Sequence, residues 1–338
     1  VLQAQREKSM NTYNNNSSVQ MVRPAWGIPS TIRHFHTHDI DQHARNMGGW
    51  QVRYDQLSPG RFEGELIELH AGWMQLMRDR TNQSMLKSGS AWKGAITFSM
   101  PLNASGPLFC AGHPIHEHGL LVAHGDHLPD LRVPENLDLL SVAVDIEALE
   151  RLLEHQEVAF RFTDLPKCYR LGGTCVQIEL ANLLDELVCA DQGHEALLSY
   201  EAIRHGVRDA VMVQLLDLVA PDQFAGLSPT ARKRMVDRAR EYALGHLDEP
   251  LSILDLCSHI GASRRKLQYC FQETLGINPV AYLRALRLNA VRRELRERQE
   301  AYGVQEVAAR WGFWHLSRFA SDYRTLFGES PSQTLQRR

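Results

Sequence analysis

Cysteine is scarce in this chain of 338 residues. The six (Cys110, Cys168, Cys175, Cys189, Cys257 and Cys270) include no CxxC spacing. Reduced, inert thiols are expected, with a redox switch through Cys168 and Cys175 as the alternative. No run of 18 apolar residues occurs, so no membrane span is predicted. No signal peptide opens the sequence, and a cytoplasmic location is expected. GxSxG, P-loop and dinucleotide-binding fingerprints are also missing, which leaves the common enzyme signatures without support. Strong net charge is absent too, at −3 overall, but the average hides a split. Residues 229–338 hold 19 Lys+Arg against 12 Asp+Glu, a balance of +7; residues 1–228 hold 18 against 28, a balance of −10. Such asymmetry predicts one end that meets nucleic acid and one that does not.

The basic end says nearly the same thing twice. Ile253, Leu256, Cys257 and Gly261 recur 51 positions later as Val304, Val307, Ala308 and Gly312. After one extra residue, Leu267, Phe271, Leu275, Gly276 and Pro279 recur 52 positions later as Phe319, Tyr323, Phe327, Gly328 and Pro331. Internal similarity at a fixed offset marks a duplicated unit. Each copy reads as a helix, a turn whose glycine can take positive φ, and a second helix with an apolar stripe at i, i+4, i+8. Asn278-Pro279 and Ser330-Pro331 then stop one helix and start another. This is helix-turn-helix grammar, in which the second helix lies in the DNA major groove.

The outward faces carry the functional reading. Arg265, Gln268 and Gln272 share one face, with Arg264 beside them; Arg318, Ser321 and Thr325 share another, with His315 and Ser317 at the helix start. Arginine can grip guanine edges with two hydrogen bonds, and glutamine can do the same for adenine. One copy alone fits an ordinary solvated helix face. Two copies in one basic segment favour a reader of duplex DNA.

At these residues the sequence resembles the AraC/XylS family of bacterial transcription regulators. The likeness runs through Arg287-Leu288, Ala290, Val307-Ala308, Trp311-Gly312-Phe313, Ser317, Phe319, Tyr323, Phe327-Gly328 and Pro331, over about the last 110 residues. The resemblance implies two helix-turn-helix units joined by a long helix. Carried over by position, base-reading sites fall on Arg265, Gln268 and Tyr269, then on Leu316, Ser317, Arg318 and Ser321. Leu316 departs from a site that is often polar, and could offer only apolar contact, for instance to a thymine methyl. Arg264, Arg287 and His315 are expected to hold phosphates. The connecting helix, predicted over about 278–298, would span ~30 Å, close to the ~34 Å between successive major-groove faces.

The acidic half reads differently. Residues 1–22 include NTYNNNSS and are expected to form a disordered tail. Residues 26–56 show no regular pattern, and His34, His36, His38 and His43 crowd together there. Strands are predicted at 62–70, 73–80, 94–100, 107–111, 119–123 and 137–144, with Ala71-Gly72, Ser88-Gly89, Ser105-Gly106, Gly125-Asp126 and Pro134 as breakers. Many short strands at this spacing predict a β-barrel or jelly-roll-like sandwich able to enclose a small ligand. Helices are predicted at 146–156, 175–191 and 195–219; the last two can cover the barrel or pair with a second copy of the chain. Residues 220–230 read as a linker.

The fold class expected is therefore α+β with two domains: an N-terminal β-barrel or jelly-roll-like domain followed by helices, and a C-terminal all-α tandem helix-turn-helix domain. Boundaries fall at 23–219 for effector binding and dimerisation, 220–230 for the linker and 231–338 for DNA binding, with units near 251–276 and 303–328. YDQLSPGRFEGEL (54–66), LDLC (254–257), SRRKLQ (263–268), RLNAVRREL (287–295) and WGFWHL (311–316) look like the ethanolamine-utilisation operon regulators within the family. That likeness implies ethanolamine and a cobalamin as effectors, with no resident cofactor. Expected partners are duplex DNA, a second copy through 175–219, and RNA polymerase; no membrane is involved.

Two rival readings remain. His116-Glu117-His118, with His113, His124 and His127 nearby, is similar to the HxH of metal-binding cupin barrels, because residues two apart on a strand share a face. The acid expected three or four residues later is missing: 121–123 are Leu-Val-Ala. A cupin-like enzyme fused to a DNA-binding module is the enzyme hypothesis; a protein-partner adaptor that touches DNA only weakly is the third class. Trp311 and Trp314 could stack on bases, although Trp311, just before the turn glycine, reads better as a cap on the helix-turn-helix core.

Overall fold

A computed structural model describes residues 31–115, 119–155, 168–171, 176–191, 198, 200–216, 225–246, 252–297 and 303–337. The tail 1–22, the pair His116 and His118, and Cys175 lie outside the described residues. In chain order the first half forms β1 (Thr31–Thr37), α1 (Ile40–Arg45), β2 (Gln51–Gln56), β3 (Gly64–His70), β4 (Met74–Thr81), β5 (Met85–Ser90) and β6 (Ala95–Asn103). Next come β7 (Leu108–Cys110), β8 (His113–Ile115), β9 (Leu120–His124), β10 (Leu131–Val133), β11 (Leu137–Asp145) and α2 (Ile146–His155). Then β12 (Cys168–Leu171), α3 (Val176–Asp191), α4 (Glu201–Leu216) and β13 (Ala225–Gly226) complete the half. The ladders are antiparallel and build two sheets, ordered β1-β3-β4-β11-β6-β9-β12-β13 and β2-β5-β10-β7-β8.

Both faces of the larger sheet are covered. Leu66, Met77, Leu121 and Leu139 meet Tyr54, Met85, Cys110 and Val133 of the smaller sheet. The alternate positions Ile67, Leu76, Val122 and Leu140 pack instead under Leu149, Leu180, Leu184, Val211 and Leu215 of α2, α3 and α4. A strand buried on both sides reads as a nearly continuous apolar run, which accounts for LDLLSVAVD in β11.

The six strands predicted from alternation appear as β3, β4, β6, β7, β9 and β11. Three departures have physical causes. The stretch 26–56 that reads as irregular contains β1, α1 and β2; β1 hides its signal because its outward positions are His34 and His36, both exposed. Ser88-Gly89, expected to break the chain, lies inside β5. Gly89 has φ 134°, and a Cβ there would sit 2.1 Å from the Gln51 carbonyl oxygen, so glycine serves close strand approach rather than a turn. Within the stretch expected to be linker, Ala225 and Gly226 pair with β12.

One charged cluster sits between the sheets. Asp79 accepts hydrogen bonds from His43 Nε2 (2.9 Å), Tyr54 Oη (3.2 Å) and Lys87 Nζ (2.5 Å). Burial pushes the Asp79 carboxyl up, but Lys87 and His43 overcome it and hold the group well below the usual carboxylate range. Tyr54, Asp79 and Lys87 line a cavity of about 70 Å³ with Trp50, Thr97, Ser99 and Ser141. A carboxyl depressed on folding contributes stability that is complete above its unfolded value, about pH 4, and is lost as pH falls through the folded value. Asp79→Asn is therefore expected to lower stability at neutral pH and to flatten the acid limb of the stability curve, read as urea midpoints across the acidic range. An unchanged acid limb would assign the acid lability to other carboxylates.

Candidate nucleic-acid interface

The second half is helical: α5 (Ala231–Gly245), α6 (Ile253–Ile260), α7 (Arg264–Leu275), α8 (Pro279–Glu297), α9 (Val304–Arg310), α10 (Leu316–Phe327) and α11 (Pro331–Gln336). Local chemistry sets most of these boundaries. Ser252 and Asp255 form a reciprocal capping box at the start of α6, and the Ser263 hydroxyl accepts from Lys266 N at the start of α7. Between them Gly261 takes φ 69°, and its counterpart Gly312 takes φ 75°. Both angles are left-handed and favour a residue without Cβ. Asn278 accepts from Ala281 N at 2.9 Å to open α8, with Pro279 as its first residue.

Each unit has its own apolar centre. Leu256, Ile260, Leu267, Phe271 and Leu275 close the first against Met235, Val236 and Ala239 of α5. The second is aromatic: Phe313, Phe319, Tyr323 and Phe327 form a chain of rings with centroids 5.0, 5.7 and 4.7 Å apart. Cys270 is buried in the first of these centres, whereas Cys257 is only half-buried.

What remains outside is the predicted reading surface. On α7, Arg264, Arg265, Gln268, Tyr269 and Gln272 are exposed, and so is Lys266. On and before α10, His315, Leu316, Ser317, Arg318, Ser321 and Thr325 are exposed. Tyr269 is half in use, because the Arg232 guanidinium of α5 lies 5.3 Å from its ring centroid. Arg287 stands apart from the others. It is half-buried and lines a cleft of about 420 Å³ between the units with Arg284, Leu256, Phe313, Trp314 and Arg318. Trp311 is tied down: its Nε1 donates to Glu294 at 2.6 Å, and Arg310 donates to the other oxygen at 2.7 Å. It braces α9 on α8, while Trp314 is 59% exposed.

Length and orientation come from α8. Its 19 residues span about 28 Å at 1.5 Å per residue, and the Arg284–Asp322 ion pair joins it to α10. At 100° per residue, Asn289, Arg292, Arg293 and Arg296 form a stripe on the side away from Arg287. That stripe grips the first half of the chain. Asn289 Nδ2 donates to the Gln56 carbonyl (2.8 Å) while its Oδ1 accepts from Gln56 N (2.9 Å). The buried Arg292 guanidinium reaches Asp39 (2.5 Å), Asp41 (2.7 Å) and Glu329 (3.4 Å). Arg293 pairs with the buried Asp55 at 2.8 Å, and Arg296 pairs with Asp39. Burial pushes the Asp41 carboxyl up despite Arg292 and Arg293. The end of α10 is held as well: Gln56 Nε2 donates to the Leu326 carbonyl (2.6 Å), and Gly60 N donates to Thr325 and Leu326 (both 3.1 Å). These are carbonyls that a helix terminus leaves unpaired.

Reading the sequence alone misses this clamp. Its signal was present as Arg292 and Arg293, placed on a face of an otherwise amphipathic helix that the apolar periodicity assigns partly to the interior.

Known proteins resemble this chain in sequence. A family described as a helix-turn-helix domain matches residues 256–337. The probable thc operon regulatory protein of Rhodococcus erythropolis is 34% identical over 145 residues, 42% of this chain and 44% of that protein. XylDLEGF operon transcriptional activator 3 of Pseudomonas putida is 28% identical over 229 residues, 65% of each chain. The chain thus spans less than two thirds of these curated relatives. Among solved structures, a probable AraC family transcriptional regulator from Rhodopseudomonas palustris is 35% identical, covering 31% of this chain and 96% of that one, with a TM-score of 0.29.

Removing one side of a buried ion cluster weakens what holds the other. Arg292→Ala leaves Asp39, Asp41 and Glu329 with only Arg296, Arg293 and Arg337 as counter-charges and is expected to be destabilising, by up to ~3–5 kcal/mol, read from urea unfolding of the full chain. A cost within experimental error would show the cluster to be solvated and the clamp weak.

Proposed function

We propose that the chain is a DNA-binding transcription regulator of the AraC/XylS type, with α7 and α10 as its two DNA-reading helices, on a protein whose first half senses a small molecule. In this reading Arg265, Gln268 and Tyr269, then Leu316, Ser317, Arg318 and Ser321, meet base edges, while Arg264, Arg287 and His315 hold phosphates. The carrying observation is the division of the second half's surface: the reading residues of α7 and α10 are exposed, whereas the clamped stripe of α8 is spent on the first half. Placing Arg287 on the phosphates requires its half-buried guanidinium to leave its present contacts, the Ala243 carbonyl among them, and turn outward from the cleft.

Residues 23–219 form the sensing and dimerising part, 220–230 the connection and 231–338 the DNA-binding part, with reading units at 251–276 and 303–328. The cavity beside Asp79 and Lys87 supports a small effector. Its size suits a molecule such as ethanolamine and not a cobalamin, so membership of the ethanolamine-operon subgroup rests on the sequence segments alone. Ile178 on α3 and Ile203 and Val213 on α4 are exposed apolar side chains, which supports pairing with a second copy through 175–219. RNA polymerase is the further partner that transcription control requires. Because effector pocket and clamp both involve β2, ligand binding and DNA binding are coupled reciprocally.

Selection of bound genomic fragments, followed by titration against selected and random duplexes, tests the reading. Arg265→Ala and Arg318→Ala are each expected to weaken the selected site by ~1–3 kcal/mol and to relax preference at one base position. Equal weakening on random DNA would make the residue a phosphate contact, and a footprint short of two adjacent major-groove segments would favour the adaptor reading.

A further inference from the structure

The histidines at the start of the described chain have a geometry that DNA reading does not use. Residues two apart on a strand share a face, so His34 and His36 project together from β1, an edge strand of the larger sheet. Glu65 of β3 is the direct cross-strand partner of His36. Among the described residues, these three bring one ligand atom each to within 4.8 Å of one another.

The arrangement is poorly satisfied as a set of hydrogen bonds. Glu65 Oε1 lies 2.7 Å from His34 Nε2 but 3.6 Å from His36 Nε2, beyond a hydrogen bond. The two imidazole rings are tilted by 51°, with centroids 4.5 Å apart. Meanwhile Arg80 Nη1 donates to the other oxygen, Oε2, at 2.7 Å. Arg80 thereby fixes the carboxylate and leaves Oε1 as the donor atom, the way an outer partner orients a metal ligand. Both histidines are exposed, which keeps the approach open.

We propose that His34, His36 and Glu65 form a surface site for a divalent transition-metal ion of the zinc, nickel or copper class. Imidazole nitrogen suits these ions, and two histidines with one carboxylate leave further positions for water. A metal would give His36 Nε2 a closer partner than Glu65 Oε1, 3.6 Å away. The donors must close to ~2.0–2.2 Å from the ion, which side-chain rotation supplies while the β1–β3 register holds the backbone. The site differs from the HxH pair at His116 and His118, and it does not depend on the DNA-reading proposal.

Zinc chloride titrated calorimetrically into the untagged, chelator-treated full chain tests it. One equivalent is expected to bind to the unsubstituted chain. A His34→Ala/His36→Ala variant should lose that equivalent while keeping its circular dichroism spectrum, and Glu65→Gln should weaken it by at least about tenfold. A His116→Ala/His118→Ala variant should bind as the parent does. Absence of stoichiometric zinc in the parent, its survival in the His34/His36 variant, or its loss only in the His116/His118 variant would each overturn the assignment.

Discussion

A buried guanidinium with carboxylates on every side can be stable only where its partners are held in place, because charges removed from water cost far more alone than paired. Arg292 is such a group. Two of its three partners, Asp39 and Asp41, come from the start of α1, and the third, Glu329, follows α10. One side chain therefore ties together the sandwich, the connecting helix and the second reading unit. Asn289 reinforces the junction by exchanging two hydrogen bonds with the Gln56 peptide, as a neighbouring strand would. Backbone donors at Gly60 close the end of α10. The rod that links α7 to α10 is consequently oriented by the first half of the chain.

Under the proposed function, that orientation is the route by which the sandwich would act on the second half. β2 presents Tyr54 inward to the cavity and the Asp79 cluster, while the neighbouring Asp55 and Gln56 contact α8. A displacement of β2 by a ligand would reach α8 within a single residue. The larger sheet, buried on both faces, is the rigid platform against which such a displacement acts. Interiors packed at this density respond to strain by shifting between discrete arrangements rather than by continuous deformation.

The reading units were almost fully legible in the chain, since their determinants are local. Serine and asparagine caps, the left-handed glycines at 261 and 312, proline at the first position of α8 and α11, and stripes such as Leu267, Phe271 and Leu275 all act within a turn or two. The outward residues on α7 and α10 followed from the same periodicity. Arg287 was harder to place: spacing puts it on α8, but only the approach of α6, the 312–315 turn and α10 makes its surroundings a cleft. In the sandwich, alternation found the strands rich in apolar residues and missed β1 and β5, whose sequences carry histidine, lysine and glycine for reasons found across the sheet. Gly89 reads as a turn and functions as a contact with Gln51.

Sequence alone determined the helical grammar, the duplicated unit, the two polar faces and the charge division between the halves, because each depends on neighbours a few residues apart or on composition. Tertiary structure decided which arginines face outward and which lock inward, where histidines gather beside a carboxylate, and how one half holds the other. Those outcomes join residues such as Asp41 and Arg292, 251 positions apart, and no local pattern encodes a partner at that distance.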